Sequence, residues 1–301
     1  MTETNSNIYN PQIIRPRRTI GSRTFDFSRQ VAVMAIINRT PDSFHDKGRT
    51  FALDAAVAAV ENALAHGADW LDIGGVPFAP GPPVSTAEEI DRVVPLIEAA
   101  RARTDAVISV ETFRPDVARA AFAAGADVLN NTSGLHDPAL ADAVAEVGAS
   151  LVITHSLAQP RTPYPRPVYD DVVAEVAEFL RDRVALAESR GVPSDKIIID
   201  PGHDLNKNTY HSLELTRRLT EIADIGHPLL VAVSNKDFIG ETVDRKQLER
   251  VEATIATVAV CIMQGARIVR VHDVAELVPA VRMVEGILGW RPPAVARHNI
   301  V

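Results

Sequence analysis

Val269-Arg270-Val271-His272 alternates apolar and basic residues, so in an extended segment Arg270 and His272 point to the same side. Burying two neighbouring basic groups without partners costs on the order of several kcal/mol. A bound anion, phosphate above all, would satisfy both. The competing reading is an internal network in which Glu111 and Asp200 neutralise Lys236 and Arg270. Other apolar runs also end on polar residues: Asn38, Glu111, Asn130 with Asn131, Asp200, and Ser234-Asn235-Lys236. Carboxylates, carboxamides and cations gathered in this way suit a polar ligand. Asp200-Pro201-Gly202 also reads as a turn, and Asn38 as a strand-end cap. His155 is read as a satisfied structural histidine. The single cysteine, Cys261, allows no internal disulfide, and no His or Cys pair has a spacing suited to zinc. No tightly held transition metal is expected.

Eight short strand-like runs alternate with helical patterns, and these polar residues fall at the C-terminal ends of the runs. The runs are 31–38, 68–75, 106–112, 126–132, 150–156, 197–201, 229–236 and 266–273. Eight helical stretches follow them, clearest over 170–189 and over 248–263, where Leu248, Val251, Ile255, Val258 and Ile262 form one stripe. Gly67, Gly125, Gly148, Gly226 and Gly265 stand where helices should end in left-handed caps. Eight such units without a long linker predict a single (β/α)8 barrel, whose functional face is the C-terminal one. A doubly wound open sheet would call for an early Gly-x-Gly-x-x-Gly turn, and the chain has none. Two β-prone runs around Ile20-Gly21-Ser22 predict an N-terminal hairpin. Residues 1–11 are read as a disordered tail, 12–290 as the barrel and 291–301 as a C-terminal tail.

With 301 residues and 46% hydrophobic content, one full-sized core is affordable. A net charge of −8 argues against nucleic acid as a partner. No uninterrupted apolar run reaches the length of about 18 residues needed for a membrane helix. A soluble, cytoplasmic protein is expected.

The strand-end residues resemble those of the dihydropteroate synthase family. Asn38-Arg39-Thr40-Pro41-Asp42-Ser43-Phe44 is similar to that family's first-loop segment, and Leu71-Asp72-Ile73-Gly74-Gly75 follows in the family's order. Then come Asn130 with Ser133-Gly134-Leu135, Asp200-Pro201-Gly202, Ser234-Asn235-Lys236 and Arg270-Val271-His272-Asp273-Val274. Each motif is weak alone; the ordered set is specific. The resemblance implies the condensation of a 6-hydroxymethyl-7,8-dihydropterin diphosphate with p-aminobenzoate. It places Glu111, Asn130, Asp200 and Lys236 on the pterin, and Asn38, Arg270 and His272 on the diphosphate. It implies Mg²⁺ only together with a bound diphosphate, with Asn38 near the metal, and it implies a homodimer.

The departures from the family pattern cluster on one side. After Gly74-Gly75 the family has Glu-Ser-Thr-Arg-Pro-Gly, whereas Phe78 and Ala79 stand here for the Thr and Arg. Asn235 replaces the Arg between Ser234 and Lys236, and Leu205 replaces a ring-contacting aromatic in a glycine-rich turn. Glu111 stands for an Asp, and Asn131 for another. The second-substrate side, comprising Phe78, Ala79, Leu205, Ser234 and Asn235, is thus degenerate. The pattern resembles the inactive paralogues of the family, with a pterin and anion pocket but no synthase activity. Two alternatives are a working synthase, with Arg39, Lys47 and Arg49 supplying the missing cations, and a pterin-binding barrel enzyme with a different acceptor.

Overall fold

The computed structural model describes residues 9–38, 49–163 and 166–299, with no side-chain detail for 49–52. A two-stranded antiparallel hairpin, β1 (Arg17–Ile20) and β2 (Arg23–Asp26), precedes the barrel. Eight strands then close on themselves: β3 (Ala32–Asn38), β4 (Trp70–Gly74), β5 (Val107–Glu111), β6 (Val128–Asn131), β7 (Ser150–Thr154), β8 (Ile197–Asp200), β9 (Leu229–Val231) and β10 (Ala266–Val271). All neighbouring pairs in the barrel are parallel, and β10 pairs with β3 to complete the ring. The expected (β/α)8 barrel with an N-terminal hairpin is the observed fold.

Strand alternation divides the apolar residues into two cores. One set, including Val33, Leu71, Ile108, Leu129, Leu151, Ile199 and Val269, faces outward and packs under the helices. The other set, Met34, Trp70, Val107, Val128, Val152, Ile198, Leu230 and Ile268, fills the barrel's lower interior. Ile20, Phe25 and Phe27 of the hairpin region join this inner cluster, with Phe25 edge-on to Trp70. They close the floor. One pleat higher the inward positions are polar on six strands, Asp72, Ser109, Asn130, Thr154, Asp200 and Arg270, with Glu111 a further pleat up on β5. A change from apolar to polar along the same inward face turns a packed core into a pocket.

The helices between strands are α1 (Arg49–Ala65), α2 (Thr86–Arg101), α3 (Pro115–Ala123), α4 (Ala139–Val147), α5 (Val172–Ser189), α6 (Thr209–Arg217), α7 (Leu219–Ala223), α8 (Asp237–Val243), α9 (Val251–Met263) and α10 (Val274–Ile287). Two of these, α7 and α8, are short additions to the expected eight. All five predicted glycine caps have positive φ. No described helix is long and apolar enough to cross a membrane.

Three expectations change. The seventh barrel strand, expected over 229–236, stops at Val231, and Asn235 at φ 58° bends the chain out of extended conformation. The stripe through 248–263 loses its first member: Leu248 is 92% exposed, in a single 3-10 turn that precedes α9. The tail assigned to residues 1–11 is ordered at its described end. The Tyr9 hydroxyl donates to Asp224 Oδ1 at 2.6 Å, and Pro11 is buried.

Candidate functional site

The polar layer at the barrel mouth is organised by Arg270. As the fifth residue of β10 it points inward above Met34, its register partner on β3. Its Nε donates to Asp72 Oδ2 at 2.6 Å, and its Nη2 pairs with Glu111 Oε2. The expectation that Arg270 would need an anion is therefore corrected. Two carboxylates from β4 and β5 already neutralise it, which is the internal network in altered form. Asp200, expected as one of its members, makes its hydrogen bond elsewhere, accepting from the Gly202 amide at 2.7 Å. Asp72, which the motif reading quoted without a role, is fully buried and central. Its Oδ2 also accepts from Asn130 Nδ2 at 2.9 Å. The signal was available: Asp72 is the one charged residue inside an otherwise apolar buried strand.

Besides the hydroxyls of Ser109 and Thr154, two acceptor-only atoms in this layer have no partner among the described residues, Asp72 Oδ1 and Asn130 Oδ1. Both belong to fully or almost fully buried residues. Buried acceptors are normally satisfied, so an unmatched pair side by side invites donors from a ligand or water. Burial pushes the Asp200 carboxyl up to about 6, opposed by the Gly202 amide and by Lys236. Glu111 is also shifted upward, by burial first, with Arg270 opposing. Lys236 is the residue before α8, and its ammonium makes no hydrogen bond to any described residue while attracting both carboxyls.

On the β9–β10 side, Ser234, Asn235, Lys236, Arg270, His272 and Leu205 line one cavity of about 340 Å³. His272 lies just beyond β10, its Nδ1 3.2 Å from Ser234 Oγ, which also accepts from the His272 amide. Desolvation and Arg270 together lower the His272 pKa. Asn235 turns away from this cavity's cations, donating to Asp273 Oδ2 at 3.0 Å. Asn38 ends β3 and is exposed, its Oδ1 on the side of Gly74 and Glu111. Arg39 and Lys47 lie outside the described residues, as does the side chain of Arg49.

Phe78 and Ala79 do not line that cavity. They sit in the loop between β4 and α2, Phe78 buried and Ala79 exposed. This loop is held by Arg161, from the loop between β7 and α5. Its Nη1 donates to the carbonyls of Ala79 at 2.6 Å and Pro77 at 3.2 Å, and its Nη2 to that of Pro82 at 2.5 Å. A cation has therefore arrived near the altered loop, but its donors are directed at backbone carbonyls. Sequence reasoning missed Arg161 because the contact spans about eighty residues and follows no periodic pattern.

The altered turn after β8 has a clear local logic. Asp204 and Asn206 both adopt positive φ, which these residue types tolerate better than most. Asp204 Oδ1 accepts from Ser212 Oγ and its Oδ2 from the Phe238 amide, tying α6 to α8. Asn206 Oδ1 accepts from the amides of Leu157 and Ala158, fastening this turn to the next loop. Beneath it, buried Lys207 donates to His155 Nδ1 at 2.8 Å and to the carbonyls of Gly202 and Leu205. Burial takes Lys207 down to about 7 and His155 down to about 2, so the imidazole is a neutral acceptor. His155 is structural, as expected. Asn131 is structural too: its side chain organises the 133–135 turn through Ser133 and the Leu135 amide.

Among the described residues, no group of three His, Cys, Asp or Glu side chains could hold a metal ion. Magnesium keeps several waters and takes few protein oxygens, so the Asn38 amide oxygen alone fits it only as a partial ligand.

Residues 34–272 match the model of a family described as pterin binding enzyme. The chain is 46% identical over 271 residues to inactive dihydropteroate synthase 2 of Mycobacterium leprae, covering 87% of this chain and 92% of that one. It is 39% identical over 257 residues to dihydropteroate synthase of Escherichia coli, covering 85% and 91%. Among solved structures, Xanthomonas albilineans dihydropteroate synthase with 4-aminobenzoic acid superposes with a TM-score of 0.84 at 38% identity, covering 93% of this chain and 99% of that one.

Proposed function

The chain belongs to the pterin binding enzyme family, as a dihydropteroate synthase homologue, and from that premise we propose that it binds a pterin but has lost synthase activity. The observation that carries this reading is the asymmetry of the barrel mouth. One side offers Asp72, Asn130 and Asp200, with two unmatched buried acceptors, to a planar heterocycle rich in N–H donors. Lys236 stands beside them. The other side presents Phe78, Ala79 and an Asn235 engaged with Asp273, and Arg161 is committed to backbone carbonyls. A carboxylate-bearing second substrate such as p-aminobenzoate finds no fixed cation among these groups. Losing charged contacts to a bound carboxylate lowers the rate by roughly a hundredfold or more.

Mg²⁺ would enter only with a diphosphate, using the Asn38 amide oxygen and otherwise solvent and ligand oxygens. Four exposed large apolar side chains on two helices that pack together speak for a homodimer: Val260 and Met263 of α9, Met283 and Ile287 of α10. Light scattering on purified protein checks it, and a uniformly monomeric sample would overturn it.

The central test incubates purified protein with the dihydropterin diphosphate, p-aminobenzoate and Mg²⁺, beside a parallel calorimetric titration with the pterin alone. Pterin binding with no turnover is expected. Dihydropteroate formation at rates ordinary for an enzyme would overturn the loss of activity.

A further inference from the structure

We propose that Glu111 makes this pocket selective for an unphosphorylated pterin, because its carboxylate takes the face of Arg270 that a diphosphate would use. The inference rests on the pterin-binding reading given above and names the ligand form more narrowly. Guanidinium groups bind phosphate through parallel N–H donors. Here the Arg270 Nε is given to Asp72 and the Nη2 to Glu111, so the edge carrying both is occupied and only Nη1 has no described partner, on a side chain 16% exposed beside two anions. An incoming diphosphate must displace Glu111 or lie against its negative charge. Either is unfavourable in a desolvated site, where like charges repel more strongly than in water. An Asp at position 111 would be one methylene shorter and would reach less far across the barrel towards β10.

The surrounding charges agree. Three carboxylates, Asp72, Glu111 and Asp200, stand with two cations, Arg270 and Lys236. His272 faces Ser234 Oγ and is held towards its neutral form by desolvation and by Arg270, so it adds little positive charge. Asn235 contributes none. Of the unmatched buried atoms in this layer, Asp72 Oδ1 and Asn130 Oδ1 can only accept, while the Ser109 and Thr154 hydroxyls can accept or donate. A pterin ring has N–H donors to give; an ionised diphosphate has only acceptors. The deepest part of the pocket therefore matches the ring, and Glu111 sets the penalty on the phosphorylated tail.

The test is calorimetric titration at neutral pH, with Mg²⁺ present, of 6-hydroxymethylpterin and of its diphosphate ester. Wild type, Glu111→Asp and Glu111→Gln are compared through the ratio of the two affinities, with thermal melts confirming that each variant is folded. Wild type is expected to bind the alcohol at least as tightly as the ester. Each variant is expected to shift the ratio towards the ester by about tenfold, the effect of easing one short-range like-charge contact. Wild type preferring the ester by about tenfold or more would overturn the proposal, as would a ratio that folded variants leave unchanged. If the variants do not fold, the wild-type ratio alone decides. If wild type binds neither form, the pterin-binding reading itself falls, an outcome distinct from binding both with the wrong preference.

Discussion

At the floor of the barrel the buried charged side chains have their hydrogen-bonding atoms matched, while at the mouth buried polar atoms are left over. Below, Arg18 donates to the carbonyls of Arg15, Ile14 and Ile197, and Arg267 to those of Phe27, Ile262 and Ala266 and to Asn10 Oδ1. Arg282 bridges Asp69 and Glu285, whose carboxylates also accept the amides of Val33 and Val31. None of these charged groups keeps an unmatched buried atom. Above, Asp72, Asn130, Ser109 and Thr154 all do. Charged side chains serve stability where their polar atoms are matched, and polar side chains suit binding where some atoms are left over.

The floor offers the largest expected effect. Glu285→Ala strands the Val31 amide and removes the common partner of Arg282 and Arg291, and it should cost about 3 kcal/mol of unfolding free energy. Denaturant titration measures this, and a loss under about 1 kcal/mol would erase the contrast between the two ends. At the mouth, Asp200→Asn should weaken pterin binding by about a hundredfold while changing unfolding free energy by no more than about 1 kcal/mol. A melt lowered as much as that of Glu285→Ala would mean the mouth is structural too.

A pH series sharpens the same point. Asp200 is raised to about 6 in the folded chain, above the ordinary aspartate range. The folded state therefore takes up this proton at higher pH than the unfolded state. The Asp200 contribution to stability thus increases as pH falls from about 7 towards 4, and is lost as pH rises through about 6. Subtracting the stability profile of Asp200→Asn from that of wild type isolates it; a difference that grows with rising pH would contradict the buried-carboxyl assignment. Pterin binding that uses the ionised carboxylate should weaken below about pH 6 in wild type and lose that dependence in the variant.

The smallest effect concerns the altered loop. Arg161→Ala should leave global stability within about 1 kcal/mol, since its bonds are largely at the surface. Amide exchange in residues 77–82 should nonetheless rise several-fold, by roughly the loss of local bonding. Unchanged exchange would show that Arg161 does not hold the loop.

Much of this molecule was legible in its amino-acid order because the responsible forces are local. Parallel strands covered on both faces must be apolar, so polar residues at Glu111, Asn130, Asp200 and Arg270 stood out against their surroundings. Glycine caps marked helix ends because few other residues adopt positive φ without strain. Pairing was not legible. Arg270 meets Asp72 across 198 residues and Glu111 across 159, and only barrel closure brings them together. The early end of β9 was also hidden, because Ala232 and Val233 continue the apolar run while Asn235 turns the backbone. Leu248 fitted the helical stripe, yet α9 starts only after Arg250, whose guanidinium folds back on the carbonyls of Asn235 and Lys236.

The hairpin plug at the base has a kinetic consequence. Ile20, Phe25 and Phe27 are seated among the lowest inward side chains, so the described residues close the barrel on its underside. Among the described residues the way in lies at the strand ends. A molecule lodged against Asp72 and Asn130 must arrive before anything placed nearer the rim and must depart after it. Sequential occupancy is thus a property of the closed base and does not depend on which side chains stand at the rim.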